Sequence, residues 1–179
     1  MKVTATEHPD VLIVEPNVFE DARGAFFEAY NEATFSKLGI PNRFVQDNQS
    51  TSKKDVLRGL HYQIRQPQGK LVRVLRGEIF DVAVDCRMKS QRFSQVVWVK
   101  LSSENRKMLW IPPGFAHGFL VLSDEADVLY KTTDFYAPEQ ERTLLWNDPE
   151  LAISWPTAQP ILSVKDQQGF PLSKAELFE

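Results

Sequence analysis

Hydrophobic and polar positions alternate in short bursts along most of the chain, with no sustained helical period. Lys70-Leu71-Val72-Arg73-Val74-Leu75-Arg76 is rich in branched residues and ends at Gly77. Similar runs cover Ile79 to Asp85, Val96 to Leu101, Lys107 to Ile111, Ala116 to Leu122 and Ala126 to Thr132, with Gly, Pro and Asn or Asp between them. Regularly spaced short strands punctuated by turn residues predict an all-β sandwich or barrel. One helix is predicted, from an N-capping Asn31 to Leu38, stopped by Gly39 and Pro41. The tail carries Pro149, Pro156, Pro160 and Pro171, which predicts loops and short helical turns wrapped on the barrel. No repeat or linker divides the chain, so a single domain over residues 1–179 is expected.

Strand alternation sorts side chains by face. Lys70, Val72 and Val74 share one face of their strand, and Val128, Tyr130 and Thr132 share one face of theirs. Either Lys70 or Tyr130 is thus a candidate to point into an interior lined mainly by apolar groups.

Composition narrows the function classes. Hydrophobic residues make up 42% of the chain, enough for a sizeable core, and the net charge of −3 attracts neither nucleic acid nor an anionic membrane. An anionic ligand must therefore be held by a local cluster of cations. The lone Cys86 excludes an intrachain disulfide and reads as a small buried residue. The segment Met1 to Glu7 lacks the apolar core of a signal peptide, and no apolar run approaches membrane-span length, so a cytoplasmic location is expected. Absence of GxGxxG, Walker, CxxC and GxSxG signatures weakens dehydrogenase, kinase, zinc-ribbon and serine-hydrolase readings.

Two segments carry chemistry. The first is Arg58-Gly59-Leu60-His61-Tyr62-Gln63 with Gly69-Lys70 and Gly77; the second is Pro112-Pro113-Gly114-Phe115-Ala116-His117-Gly118-Phe119. They resemble the two motifs of the cupin superfamily, a double-stranded β-helix or jelly-roll barrel. His61 and His117 match the first and last metal ligands of that pattern, but Gln63 replaces the second histidine and Lys70 replaces the glutamate. An ammonium repels a divalent cation and offers it no lone pair. The expectation is a site without metal or cofactor, whose fixed positive charge stabilises a developing oxyanion. Taken alone, both histidines also fit hydrogen-bonded structural roles, and a lysine opening a strand also fits the surface.

More segments extend the resemblance. They are Phe19-Glu20-Asp21-Ala22-Arg23-Gly24 with Phe26-Phe27-Glu28, Tyr130 to Tyr136, Trp146-Asn147-Asp148-Pro149 and Leu162-Ser163-Val164-Lys165-Asp166. In this order, with the cupin spacing, they resemble the dTDP-4-dehydrorhamnose 3,5-epimerase family over nearly the whole chain. The resemblance implies a dTDP-4-keto-6-deoxy sugar as substrate and inversion at C3 and C5, the carbons flanking its C4 ketone. It further implies His61 as base, Asp166 as the carboxylate orienting it, Tyr130 as acid on the opposite face and Lys70 as enolate stabiliser and possible depressor of the Tyr130 pKa. Without it, Asp166 reads as a turn residue and Tyr130 as a core aromatic. Arg23, Arg58 and Lys165 are implied diphosphate partners, and Glu28, Gln46, Asn48, His117 and Glu141 nucleotide or sugar contacts. Alternation sets Arg58 opposite His61 unless Gly59 marks a bulge. The resemblance also implies a homodimer with exchanged N-terminal strands, in which Arg23 and Glu28 serve the other subunit's site. The competing readings are a 3- or 5-mono-epimerase or ketoisomerase on the same scaffold, a metal-dependent cupin and a non-enzymatic sugar-binding cupin.

Overall fold

The computed structural model describes residues 1–40 and 43–179. Pro41, one of the two expected helix stops, lies outside the described residues. The strands are β1 (Lys2–Ala5), β2 (Leu12–Glu15), β3 (Phe19–Asp21), β4 (Gly24–Phe26), β5 (Gln46–Lys53), β6 (Leu57–Gln63), β7 (Lys70–Arg76), β8 (Glu78–Asp85), β9 (Val96–Ser102), β10 (Met108–Ile111), β11 (Phe115–Val121), β12 (Glu125–Thr132) and β13 (Glu141–Thr143). They form a six-stranded sheet in the order β1-β2-β10-β7-β12-β5, a five-stranded sheet in the order β13-β6-β11-β8-β9, and a separate β3–β4 hairpin. This is the expected all-β jelly roll. All six predicted runs are strands, with ends shifted by at most a residue.

The sheets face each other across an aliphatic layer that includes Val72, Val74, Ile79, Ala83, Val97, Leu109, Phe119 and Val128. Alternation then exposes a second apolar face on each sheet, and each is covered. Helix α1 (Glu32–Lys37) seats Phe35 with Leu71, Met108 and Trp110 on the outside of the six-stranded sheet. The Asn31 side chain caps α1 by accepting from the Thr34 N–H, and Gly39 follows in the left-handed region at φ +85°. The tail packs Leu144, Leu151 and Leu172 over Phe80, Val82 and Val84 on the outside of the other sheet. It includes the short helix α2 (Val164–Gln167). Cys86 is fully buried, and among the described residues no helix is long and apolar enough to cross a membrane.

Register decides what enters the space between the sheets. Val72 lies opposite Tyr130, and Lys70 opposite Thr132, across β7 and β12. Residues directly opposite in an antiparallel pair share a face. Lys70 and Tyr130 therefore both point inward with Val72.

Candidate active site

A cavity of about 390 Å³ opens between the sheets. Gln46, Asn48, Lys70 and Tyr130 line it from the six-stranded sheet. Arg58, His61, Gln63, His117 and Glu141 line it from the five-stranded sheet, and Lys165 and Asp166 from α2. Ten of the expected site residues are thus brought to one cavity from positions spread between 46 and 166.

Gly59 reshapes the strand that carries His61. Across β6 and β11, His61 lies opposite His117 but Arg58 lies opposite Phe119, so β6 holds one more residue than its partner over this stretch. The extra residue is accommodated at Gly59, whose φ is +123°; a Cβ there would sit 2.5 Å from the Gly118 Cα. Only glycine permits both the conformation and the approach. The bulge returns Arg58 to the His61 side, where simple alternation excluded it.

His61 and Asp166, 105 residues apart, meet at 2.5 Å between Nε2 and Oδ1. The Ser163 hydroxyl accepts from the Asp166 N–H at the start of α2 and donates to Asp166 Oδ2. Both carboxylate oxygens are therefore occupied and their direction is fixed. Burial pushes the Asp166 carboxyl up, but the bonds from His61 and Ser163 and the nearby Lys165 outweigh it and hold it below the usual range. An ionised Asp166 accepts the Nε2 proton, which leaves the Nδ1 lone pair of neutral His61 as the basic atom. Burial is the largest influence on His61 and lowers its pKa; Asp166 opposes this, and Lys165 and Lys70 reinforce it.

Lys70 is 8% exposed, and its ammonium donates to the His61 carbonyl at 3.3 Å. Burial lowers its pKa from 10.5 to about 8, against the supporting charges of Glu141 and Asp81. It therefore remains mostly a cation at neutral pH. Burial raises the Tyr130 pKa, which keeps the phenol protonated. The cation that opposes this is Arg58. The expected depression of the phenol by Lys70 is thus corrected: desolvation wins, and Arg58 supplies the countering charge.

The four positions that hold metal in the cupin pattern do not fit one here. Gln63 spends its amide on the backbone, donating to the Gln66 and Phe135 carbonyls and accepting from the Ala137 N–H. Lys70 is a cation with no free lone pair, so only His61 and His117, each with Nε2 bonded to a carboxylate, could donate, two positions of the four. Among the described residues no three His, Cys, Asp or Glu side chains are grouped to hold a metal ion.

Two expected residues lie elsewhere. Arg23 is 90% exposed on the β3–β4 hairpin and pairs with Asp21, and Glu28 accepts from Asn31 and Thr34. Sequence reasoning missed Tyr136, whose hydroxyl donates to Glu141, and Asp81, which accepts from His117 at 2.6 Å. It also missed the buried pair of His8 with Asp85, remote in sequence. Asp81 was visible as an acid on the Ile79–Ala83 face of an otherwise apolar strand.

The comparisons with known proteins agree with one another. Residues 5–174 match the family dTDP-4-dehydrorhamnose 3,5-epimerase. A protein of that name from Pseudomonas aeruginosa is 58% identical, over 99% of both chains. A crystal structure of a dTDP-6-deoxy-D-glucose-3,5-epimerase from Legionella pneumophila, in complex with dTDP-4-keto-L-rhamnose, superposes with a TM-score of 0.95 at 51% identity, covering 98% of this chain and 94% of that one. A dTDP-4-dehydrorhamnose 3-epimerase from Streptomyces niveus is 37% identical, over 90% of this chain and 79% of that one.

Proposed function

The chain belongs to the dTDP-4-dehydrorhamnose 3,5-epimerase family of isomerases, and from that premise we propose how its cavity inverts C3 and C5 of dTDP-4-dehydro-6-deoxy-D-glucose to give dTDP-4-dehydro-L-rhamnose. Both carbons flank the C4 ketone, so loss of either proton gives an enolate. His61 takes the proton through Nδ1, and Asp166 stabilises the imidazolium that forms. The Lys70 ammonium lies against the enolate oxygen. Tyr130 delivers a proton to the opposite face of the same carbon. The histidine then returns its proton to solvent, the phenol is reprotonated, and the cycle repeats at the second carbon. No metal takes part in this scheme.

One observation carries the reading: base and acid enter the same cavity from opposing sheets, with a buried cation beside the base. Arg58 and Lys165 are assigned to the diphosphate, and Gln46, Asn48, His117 and Glu141 to the nucleotide and sugar. The partner is a second copy of the chain. Support comes from the β3–β4 hairpin, where Phe19 and Phe26 are 67% and 73% exposed and, among the described residues, the strands pair only with each other. An isolated two-stranded hairpin is at best marginal in water. Exchange of this hairpin would carry Arg23, and Glu28 just beyond it, to the partner's cavity.

Incubation with the dTDP-4-keto sugar in heavy water tests the scheme. Deuterium is expected at C3 and C5, with inversion at both. The similarity to a 3-epimerase motivates the alternative of one inverted centre, and label at C3 alone would select it. No incorporation at either carbon would leave a sugar-binding cupin.

A further inference from the structure

Asp81 has an uncommon position for an acid. It is 0% exposed on β8, between Ile79 and Ala83 on the face that builds the aliphatic layer between the sheets. A buried carboxylate is costly unless its oxygens are satisfied. Oδ1 accepts from His117 Nε2 at 2.6 Å, but Oδ2 is buried with no hydrogen-bond partner among the described residues. Asp85, two residues pairs further along the same face, is equally buried and fully satisfied by His8, Arg87 and Ser90. Asp85 needs no explanation beyond structure, whereas Asp81 does. Two residues of the cavity wall connect to Asp81: His117, bonded to it, and Lys70, whose charge it supports.

We propose that Asp81 is a positioning residue of this site: it holds the His117 imidazole by Nε2, turning Nδ1 to the substrate, and supplies the buried negative charge that stabilises the Lys70 ammonium beside the sugar ketone. This rests on the role given to Lys70 above. The half-satisfied carboxylate is then accounted for. A second hydrogen bond to Oδ2 would disperse the charge that Lys70 draws on. The other charged groups acting on Lys70 are Glu141 from β13, which supports the ammonium, and Lys165 from α2, which opposes it. Asp81 is the one of these that lies inside the apolar layer, where charge is screened least.

Asp81→Asn keeps the shape and removes the charge. Turnover is expected to fall about 10- to 100-fold with KM for the dTDP-4-keto sugar nearly unchanged. The alkaline limb of the kcat–pH profile moves to lower pH, because the ammonium loses its support. In a Lys70→Met background the same change costs clearly less, since the group it acts through is gone. Should the amide fail to fold, Asp81→Ser serves for the same profile and the same cycle. An unshifted alkaline limb, or losses that multiply fully with those of Lys70→Met, reduces Asp81 to a structural residue and overturns the inference. Wild-type protein in the same assay separates the two levels: if it neither exchanges nor inverts, the reading of the whole site fails.

Discussion

Lys70→Met sets stability against chemistry. Methionine nearly matches the length of the lysine stem and carries no charge. The lysine pKa falls from 10.5 to about 8 on burial. At about 1.4 kcal/mol for each tenfold change, holding the ammonium charged in the folded protein at neutral pH costs roughly 3 kcal/mol. Removing it leaves Asp81 with less support, so the expected net gain is about 1–3 kcal/mol, or a Tm rise of roughly 3–10 °C for a chain of this size. Turnover moves the other way, falling about 10²–10³-fold, as for loss of an oxyanion donor. The sign of the pH dependence is fixed. Between about 8 and 10.5 the unfolded lysine binds more proton than the folded one, so wild-type stability rises with pH in that window. The advantage of Lys70→Met is therefore full below about pH 8 and vanishes above about 10.5. Chemical denaturation across that window, paired with product analysis, reads both effects. A variant less stable than wild type by the same amount at every pH would mean that Lys70 sits there as ordinary packing. One retaining turnover within tenfold would remove it from the enolate.

His61→Ala is expected to abolish deuterium exchange at both C3 and C5, a loss of about 10²–10⁴-fold; near-normal exchange at either carbon would identify another base. Asp166→Asn should cripple turnover while calorimetric binding of dTDP stays close to wild type, and a matching loss of binding would make Asp166 structural. Tyr130→Phe should preserve exchange at one or both carbons while doubly inverted product collapses; wild-type product formation would return Tyr130 to the core. The pH profile should be a bell, its acid limb below the ordinary histidine value of 6.5 because burial and two lysines outweigh Asp166, and its alkaline limb near 8 from Lys70. A rate unchanged across both limits would detach these groups from the reaction. Activity should survive exhaustive chelation, and loss restored by one divalent ion would contradict the donor set described for His61, Gln63, Lys70 and His117.

The later strands were legible because apolar and branched residues run a full strand length between turn residues, as in Ile79 to Asp85. The early strands were not. β5 reads Gln-Asp-Asn-Gln-Ser-Thr-Ser-Lys, with no apolar residue to mark a face. It is a strand because it is the edge partner of β12 from Gln46 to Lys53, and only tertiary pairing reveals that. The site divides similarly. The missing metal pattern was plain from Gln63 and Lys70 in their places. That Arg58 faces the cavity depended on a one-residue bulge, which a glycine hints at but does not fix. The pairing of His61 with Asp166 spans 105 residues, so nothing local encodes it. Desolvation was the least visible quantity of all. It sets the Lys70 and Tyr130 protonation ranges, and on Tyr130 it outweighs the neighbouring cation Arg58.

Epimerisation asks for a base and an acid on opposite faces of one carbon, a requirement a single sheet meets poorly. Side chains on one face of one sheet approach a flat ring from one direction. A sandwich meets the requirement by construction, because its inward-facing residues oppose each other across the layer that is otherwise its core. Here the five-stranded sheet contributes His61, steadied by α2, and the six-stranded sheet contributes Tyr130. Lys70 reaches the His61 carbonyl from the Tyr130 sheet and so links the two walls. The same burial that lowers the histidine pKa raises that of the phenol. In the proposed scheme one environment thus keeps the imidazole neutral for the part of base and the phenol protonated for the part of acid. In that scheme desolvation sets the direction of transfer, and topology sets the two faces. A substitution that admitted water behind Tyr130 should lower its pKa toward 10, which leaves the phenol protonated at neutral pH, so inversion should survive it, whereas Tyr130→Phe should blunt inversion before it blunts exchange.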